Sequence, residues 1–306
     1  MKGILLISFL FFSNFMYAND YWKQNYSKID SFAYTIKPTT NIDKLTAQLI
    51  ERYSTDAEKY RSIFAWITHN IAYDVVALKN PALKVTDAVG VIKKKKTVCQ
   101  GYCNLFLNMC TAANIECVII MGWSHEKLNI GKPLVAKPTH AWNAIKINNE
   151  WYVCDVTWAA GSTSEENSLF TFKFKDFYFC TPPELFSCNH FPEETKWLLG
   201  TQLSSKDFID KPHFYPEAIN INLKDLTPIN GIQVYKQNKK ITFTCSVDVD
   251  VKSISICPSN AKFSTAVKFS QENNTITFEY DLATFSPYIN IFLNNKSILA
   301  YKITAK

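Results

Sequence analysis

Thr139 to Ile147 (THAWNAIKI) and Glu150 to Trp158 (EWYVCDVTW) flank the pair Asn148-Asn149. Both runs are rich in β-branched and aromatic residues, the composition of strands. Asparagine tolerates positive φ, so the pair between them predicts a tight hairpin turn. This constrains the chain strongly, because a slip of one residue in a hairpin moves every side chain to the opposite face. A two- or four-residue loop centred between Asn148 and Asn149 pairs His140 with Thr157. Asp155 then shares the face of His140 as its diagonal neighbour, within reach of the imidazole. A three-residue loop would turn it to the other face.

A second segment supplies what an imidazole and a carboxylate could act upon. The stretch TVCQGYCNLFLNMCTAANIE, from Thr97, predicts a helix beginning near Val98, with Tyr102, Phe106, Met109 and Ala113 as its buried stripe. Cys99 falls in the first turn, where unpaired N–H groups and the helix dipole favour an anion and so lower a thiol's pKa. A thiolate is a strong nucleophile near neutral pH. Taken alone, Cys99 reads sooner as a buried structural cysteine, and His140 could be a strand end and Asp155 a loop acceptor. In the order Cys, His, Asp they suggest a nucleophile, an acid–base group and its orienter.

The other elements are coarser. Residues 41–78 predict two helical pieces, with Ile42, Leu45, Leu49 and Ile50 on one face of the first. Tyr60, Ile63, Phe64, Ile67 and Ile71 lie on one face of the second. Val85 to Ile92 reads as a short helix, Lys93 to Lys96 as a solvated loop, and Glu116 to Trp123 (ECVIIMGW) as a buried strand. Lys211 to Pro216 is a candidate linker. Beyond it the helical period gives way to short alternating strands, which predicts a small β-sandwich over 217–306.

At 306 residues, about two domains are expected. The first eighteen residues, MKGILLISFLFFSNFMYA, have the three regions of a secretory signal peptide, leaving 19–40 as an N-terminal extension and 41–210 as the first domain. No other apolar run is long enough to span a bilayer, so the mature chain is expected to be exported, without a stable membrane span. The net charge of +6 includes the four clustered lysines and no long basic stripe, which argues against nucleic-acid binding. Nine cysteines lack paired CxxC spacing, so no structural zinc is expected; Cys180–Cys188 and Cys245–Cys257 are possible disulfides. No HExxH pattern or glycine-rich phosphate loop occurs, so neither a metal nor another cofactor is expected. His69 reads as a polar-face residue and His190, in CNHFP, as a structural contact. His125 and His213 lie in polar loops without partners nearby in sequence.

The blocks VCQGYCNLF, HAWNAIKI and WYVCDVTW resemble the three motifs of the transglutaminase-like superfamily, and FAWITHNIAYD is similar to its lead-in helix. FYFCTPPELFSCNHFPEETKWLL, from Phe177, is similar to the tail of the kyphoscoliosis-peptidase branch, in which an immunoglobulin-like domain often follows. The resemblance covers residues 45–205 well and the last ninety loosely. It implies an α+β, papain-like core followed by an immunoglobulin-like β-sandwich. It also implies thiol-dependent acyl transfer on a protein or peptide substrate, with Cys99, His140 and Asp155 as the triad. Papain-like enzymes carry a glutamine six positions before the cysteine; here that position is Lys93, so this oxyanion donor does not carry over. Tyr73 is a candidate second donor or cleft wall, and Trp142 a candidate cleft residue. The resemblance to the peptidase branch favours hydrolysis by a cysteine peptidase; the alternatives are an amine-crosslinking transglutaminase and a non-catalytic binding module for a surface protein or glycan.

Overall fold

The computed structural model describes residues 21–164, 168–237 and 240–305; the expected signal peptide lies outside them. Helices α1 (Ser27–Thr35), α2 (Ile42–Ile50) and α3 (Asp56–Asn70) pack around one another. Thr55 starts α3 with a capping box: its hydroxyl accepts from Glu58 N–H while the Glu58 carboxylate accepts from the Thr55 N–H. Arg61 of α3 is buried, forks onto Asp30 of α1 at 2.7 and 2.6 Å, and reaches Asp176 at 2.6 Å. Its guanidinium also lies over the Tyr26 ring. Residues 27–35, placed by sequence in an extension outside the first domain, thus join the same core. A buried guanidinium must be paired and hydrogen-bonded, and α1 carries one of the two carboxylates that do so here.

After α3 the chain forms β1 (Ala72–Tyr73), α4 (Val75–Lys79), α5 (Ala88–Lys94) and β2 (Lys96–Thr97), with β1 and β2 paired in parallel. The lysine run is not simply a solvated loop. Lys93 and Lys94 end α5, and Lys95 closes it in the left-handed conformation at φ 55°. Lys94 and Lys96 lie 2.9 and 3.8 Å from the buried Asp74 carboxylate. Burial opposes the charge on Asp74, but the Ala77 N–H and the two ammonium groups outweigh it and hold the carboxyl below its usual range.

α6 (Cys99–Ala112) follows and crosses an antiparallel sheet of β3 (Cys117–Ser124), β4 (His140–Ile147), β5 (Glu150–Cys154) and β8 (His190–Pro192), in the order β5-β4-β3-β8. Between β5 and β8 lie α7 (Val156–Ala160) and the small hairpin β6 (Gly161–Thr163) and β7 (Phe170–Phe172). Asn148 and Asn149 have φ 51° and 65°, and Ile147 pairs with Glu150, which is the two-residue turn. Tyr60, Phe64, Phe106, Trp142, Phe179 and Ile145 lie in the core between helices and sheet.

The last hundred residues build two further sheets. One contains Lys224–Thr227, Lys240–Ser246, Thr275–Asp281 and Phe269–Glu272. The other contains Ile232–Val234, Lys296–Thr304, Tyr288–Leu293, Ile254–Pro258 and Thr265–Val267. They bury one shared core, bridged by the Phe243 and Tyr301 rings at 5.2 Å. The expected linker does more than tether: His213–Phe214 pairs with Leu299 and Ala300 as an added strand of the second sheet. All nine cysteines are free thiols, so neither candidate disulfide is formed. Among the described residues no helix is long and apolar enough to cross a membrane.

Candidate active site

Cys99 is the first residue of α6, and the packing beneath it fixes where that helix starts. Gly101 lies so close to Thr97 that an added Cβ would meet Thr97 Oγ1 at 1.9 Å. Thr97 itself donates to the Val85 carbonyl at 2.7 Å, so β2 is pinned under the first turn. One turn further on, the Tyr102 hydroxyl donates to the Ile71 carbonyl at 2.6 Å and anchors α6 to the end of α3. The N–H of Cys99 has no acceptor within its own helix and is free to face a ligand.

His140 opens β4, and its Nε2 lies 2.7 Å from Asp155 Oδ2. The sequence reading put Asp155 in the middle of a strand. In the structure β5 stops at Cys154, and Asp155 caps α7, with Oδ1 accepting from the Trp158 N–H at 2.8 Å. An Asp that can cap a following turn favours that over extending a ladder. Register alone still brings it to the His140 side, because Asn143 pairs with Cys154.

With Nε2 committed to Asp155, Nδ1 of His140 is left for Cys99, and the two groups sit close enough that each shifts the other's titration. Burial raises the Cys99 pKa, yet the His140 hydrogen bond and charge and the Ala141 N–H bring it below the ordinary thiol value. Burial likewise opposes charge on His140, but Asp155 and then Cys99 push its pKa up to about 10. Asp155 is fully buried, and against that burial the two histidines hold it far below the usual carboxylate range. Both shifts favour a thiolate–imidazolium pair, backed by a carboxylate, over the neutral thiol and imidazole.

The second histidine is His190, read from sequence as a structural contact. β8 pairs with β3 through Ser124↔His190, and the ring is stacked on Phe186 at 3.9 Å. Its Nε2 reaches the same Oδ2 of Asp155, at 3.0 Å. Only the third dimension reveals this, since 35 residues separate the pair. The donor atoms of His140, Asp155 and His190 lie within 4.8 Å of one another, the span of a metal's ligand set. Here hydrogen bonds at 2.7 and 3.0 Å already use the carboxylate oxygen, and the three groups are mutually satisfied by protons.

Cys99 and His140 open into a cleft of about 570 Å³ whose walls include Tyr73, Trp158, Lys175 and His213. Tyr73 is seated there by the β1–β2 pairing, and burial with the nearby Cys99 and Asp155 charges raises its pKa, keeping it a neutral O–H donor. Trp142 takes no part in the cleft wall. It is 1% exposed and packs beneath the site, against Phe186 and edge-on to His190 at 5.1 Å. Gly122 makes room for it, since a Cβ there would meet the indole at 2.5 Å. The tryptophan that lines the cleft is Trp158, tilted 5.5 Å from His140. His69 is exposed and stacked on Tyr34 at 4.1 Å. His125 and His213, without partners nearby in sequence, meet across the fold, with His213 Nδ1 2.9 Å from the His125 carbonyl.

Residues 43–156 match the family profile of the Transglutaminase-like superfamily, and this range contains Cys99, His140 and Asp155. The chain is 31% identical over 223 residues to kyphoscoliosis peptidase of Homo sapiens, a match covering 72% of this chain and 34% of that protein. It is 25% identical over 236 residues to hillarin of Drosophila melanogaster, covering 72% of this chain and 28% of that protein. The chain thus spans about a third of the length of these relatives. Among solved structures, a putative cysteine protease from Cytophaga hutchinsonii is 21% identical and covers 42% of each chain at a TM-score of 0.31. By its family profile, with its curated relatives in agreement, residues 43–156 of this chain form a domain of the transglutaminase-like superfamily.

Proposed function

We propose that the protein is a cysteine acyl-transfer enzyme acting as a peptidase on protein or peptide amides. The observation that carries this is the 2.7 Å contact of His140 Nε2 with Asp155 Oδ2 beside the first-turn thiol of Cys99, with Cys99 and His140 both lining an open cleft. Sulfur of Cys99 attacks the amide carbon. The oxyanion formed faces the free Cys99 N–H, with Tyr73 O–H as the candidate second donor. His140 Nδ1–H protonates the leaving amine as the C–N bond breaks, leaving a thioester on Cys99. Water enters, gives a proton back to His140 as its oxygen bonds the carbonyl carbon, and the C–S bond breaks to restore the thiolate. A lysine amine in place of water would give a crosslink by the same steps.

Hydrolysis is favoured by the 31% identity to a relative named as a peptidase. Lys2 and the apolar run to Ala18 support export of the mature chain, and the two C-terminal sheets support reading 217–306 as an immunoglobulin-like domain. The test is to incubate wild type and Cys99→Ala with a mixed peptide library and a labelled primary amine. Cleavage by wild type alone is the expected result; amine incorporation without cleavage would make the protein a crosslinking enzyme instead. Neither product, with a folded protein, would overturn catalysis.

A further inference from the structure

His190 is a buried titratable group that the steps above do not use, yet it holds the same atom on which His140 depends. Asp155 Oδ1 is committed to the Trp158 N–H, so the carboxylate cannot turn without breaking its cap. Oδ2 is shared by two imidazoles, His140 Nε2 at 2.7 Å and His190 Nε2 at 3.0 Å. The other nitrogen of His190 lies 3.2 Å from the Phe186 carbonyl, which can only accept. Both nitrogens of His190 thus face acceptors, and a neutral ring has one hydrogen to give. The shorter contact is to the charged acceptor, where a hydrogen bond is stronger, so that hydrogen sits on Nε2.

The ring has little freedom to leave. It is 1% exposed, stacked on Phe186 at 3.9 Å, tilted against Trp158 at 4.6 Å and edge-on to Trp142 at 5.1 Å. The titratable groups facing it are Asp155, His140 from β4 and the phenol of Tyr178. Burial first, and the His140 charge, keep its pKa below the usual histidine value although Asp155 draws it up, which suits a neutral donor near pH 7.

We propose that His190 is a positioning residue of the catalytic site, donating from Nε2 to Asp155 Oδ2 so that the carboxylate is held ionised and aimed at His140. This rests on the acyl-transfer reading of the site. With the donor removed, Oδ2 loses one of its two partners. The carboxylate then gains a proton more readily, and the imidazolium that sustains the Cys99 thiolate is less well held.

The test needs no known substrate. The rate of Cys99 alkylation by iodoacetamide is measured from pH 5 to 9 for wild type, His190→Phe and His190→Gln. Phenylalanine keeps the stacking and lacks the donor; glutamine can place an amide N–H near the position of Nε2. His190→Phe is expected to slow alkylation at pH 6 by about tenfold and to move its acid limb up by about one pH unit. His190→Gln should restore most of both. Wild-type Cys99 reacting at pH 6 no faster than an ordinary thiol would overturn the acyl-transfer reading itself. A fast wild type with an unchanged limb in folded His190→Phe would overturn only the role of His190. So would a folded glutamine variant no better than phenylalanine. Circular dichroism identifies the folded variants; if neither folds, His190→Asn and His190→Leu take their places with the same readout.

Discussion

His140 Nε2 lies 2.7 Å from Asp155 Oδ2 even though strand pairing has already stopped one residue earlier, at Cys154. The carboxylate therefore acts from a helix cap, with Oδ1 held by the Trp158 N–H. Asp155→Asn separates the two jobs. Its amide oxygen can keep the cap, but its NH₂ points a donor at a nitrogen that must itself donate. The His140 tautomer reverses, and turnover is expected to fall by about 10³- to 10⁴-fold, as in other triads. The cost to stability, about 1–3 kcal/mol from mismatched buried hydrogen bonds, should be far smaller in its effect. Steady-state kinetics beside urea unfolding checks both; equal losses in folding and turnover would contradict the assignment.

The charge state of the site gives it a distinct pH signature. The Cys99 thiol is held below its ordinary value and His140 is pushed up to about 10, so the thiolate–imidazolium pair persists between those limits. Activity against peptides should rise at a pH below the ordinary thiol range of about 8.5 and fall as pH approaches 10. Stability follows linkage. His140 titrates higher when folded, so its contribution is complete below about pH 6.5 and fades as pH rises through 10. Asp155 titrates lower when folded, so its contribution is complete above about pH 4 and is lost on acidification. The stability gap between wild type and Asp155→Asn should therefore be widest near pH 5–6 and shrink at pH 10. Urea midpoints at the two pH values read this directly.

Much of the geometry of this site is legible in the sequence. The Asn148-Asn149 turn fixed the register, and register put Asp155 on the side of His140. The early helix position of Cys99 followed from an apolar stripe with a 3.6 period. What escaped was non-local. His190 meets Asp155 across 35 residues, and His125 meets His213 across 88, by tertiary packing that no local pattern encodes. The lysine run misled for the opposite reason. Clustered like charges favour water, and only the buried Asp74 carboxylate, itself invisible as buried in IAYD, reverses that preference for Lys94 and Lys96. Trp142 shares the His140 face by strand alternation, but depth below the surface is not a property of alternation.

The contact between Gly101 and Thr97 ties reactivity to backbone packing. Gly101→Ala would drive a Cβ to within 1.9 Å of Thr97 Oγ1 in a segment pinned to Val85. The first turn of α6 has to move, at a cost of about 1–3 kcal/mol, as for other overpacked sites. Displacing the sulfur by even about 1 Å should lower turnover by about 10²-fold. Adding Thr97→Ala removes the hydroxyl but leaves a Cβ near 2.9 Å, so it should recover part of the loss. No loss in the single variant, or no recovery in the double variant, would show that this contact does not set the position of Cys99.

Asp74 should matter to the site without touching it. Its carboxylate draws Lys94 and Lys96 together and accepts the Ala77 N–H at 3.0 Å, holding β1 against β2. Those two strands seat Tyr73 on the cleft wall and carry the chain into Cys99. Asp74→Asn keeps an acceptor for Ala77 but leaves two ammonium groups facing each other without an anion. Both lysines can turn toward water, so the loss of stability should be modest, about 1–2 kcal/mol. Because the ion pair is strongest when the carboxyl is ionised, wild type should lose this advantage as pH falls below about 4, and the variant should not. If Tyr73 supplies the second oxyanion donor, the same substitution lowers kcat with little change in KM, and Tyr73→Phe lowers it further. A change confined to KM in both variants would instead make Tyr73 a wall of the cleft and no more.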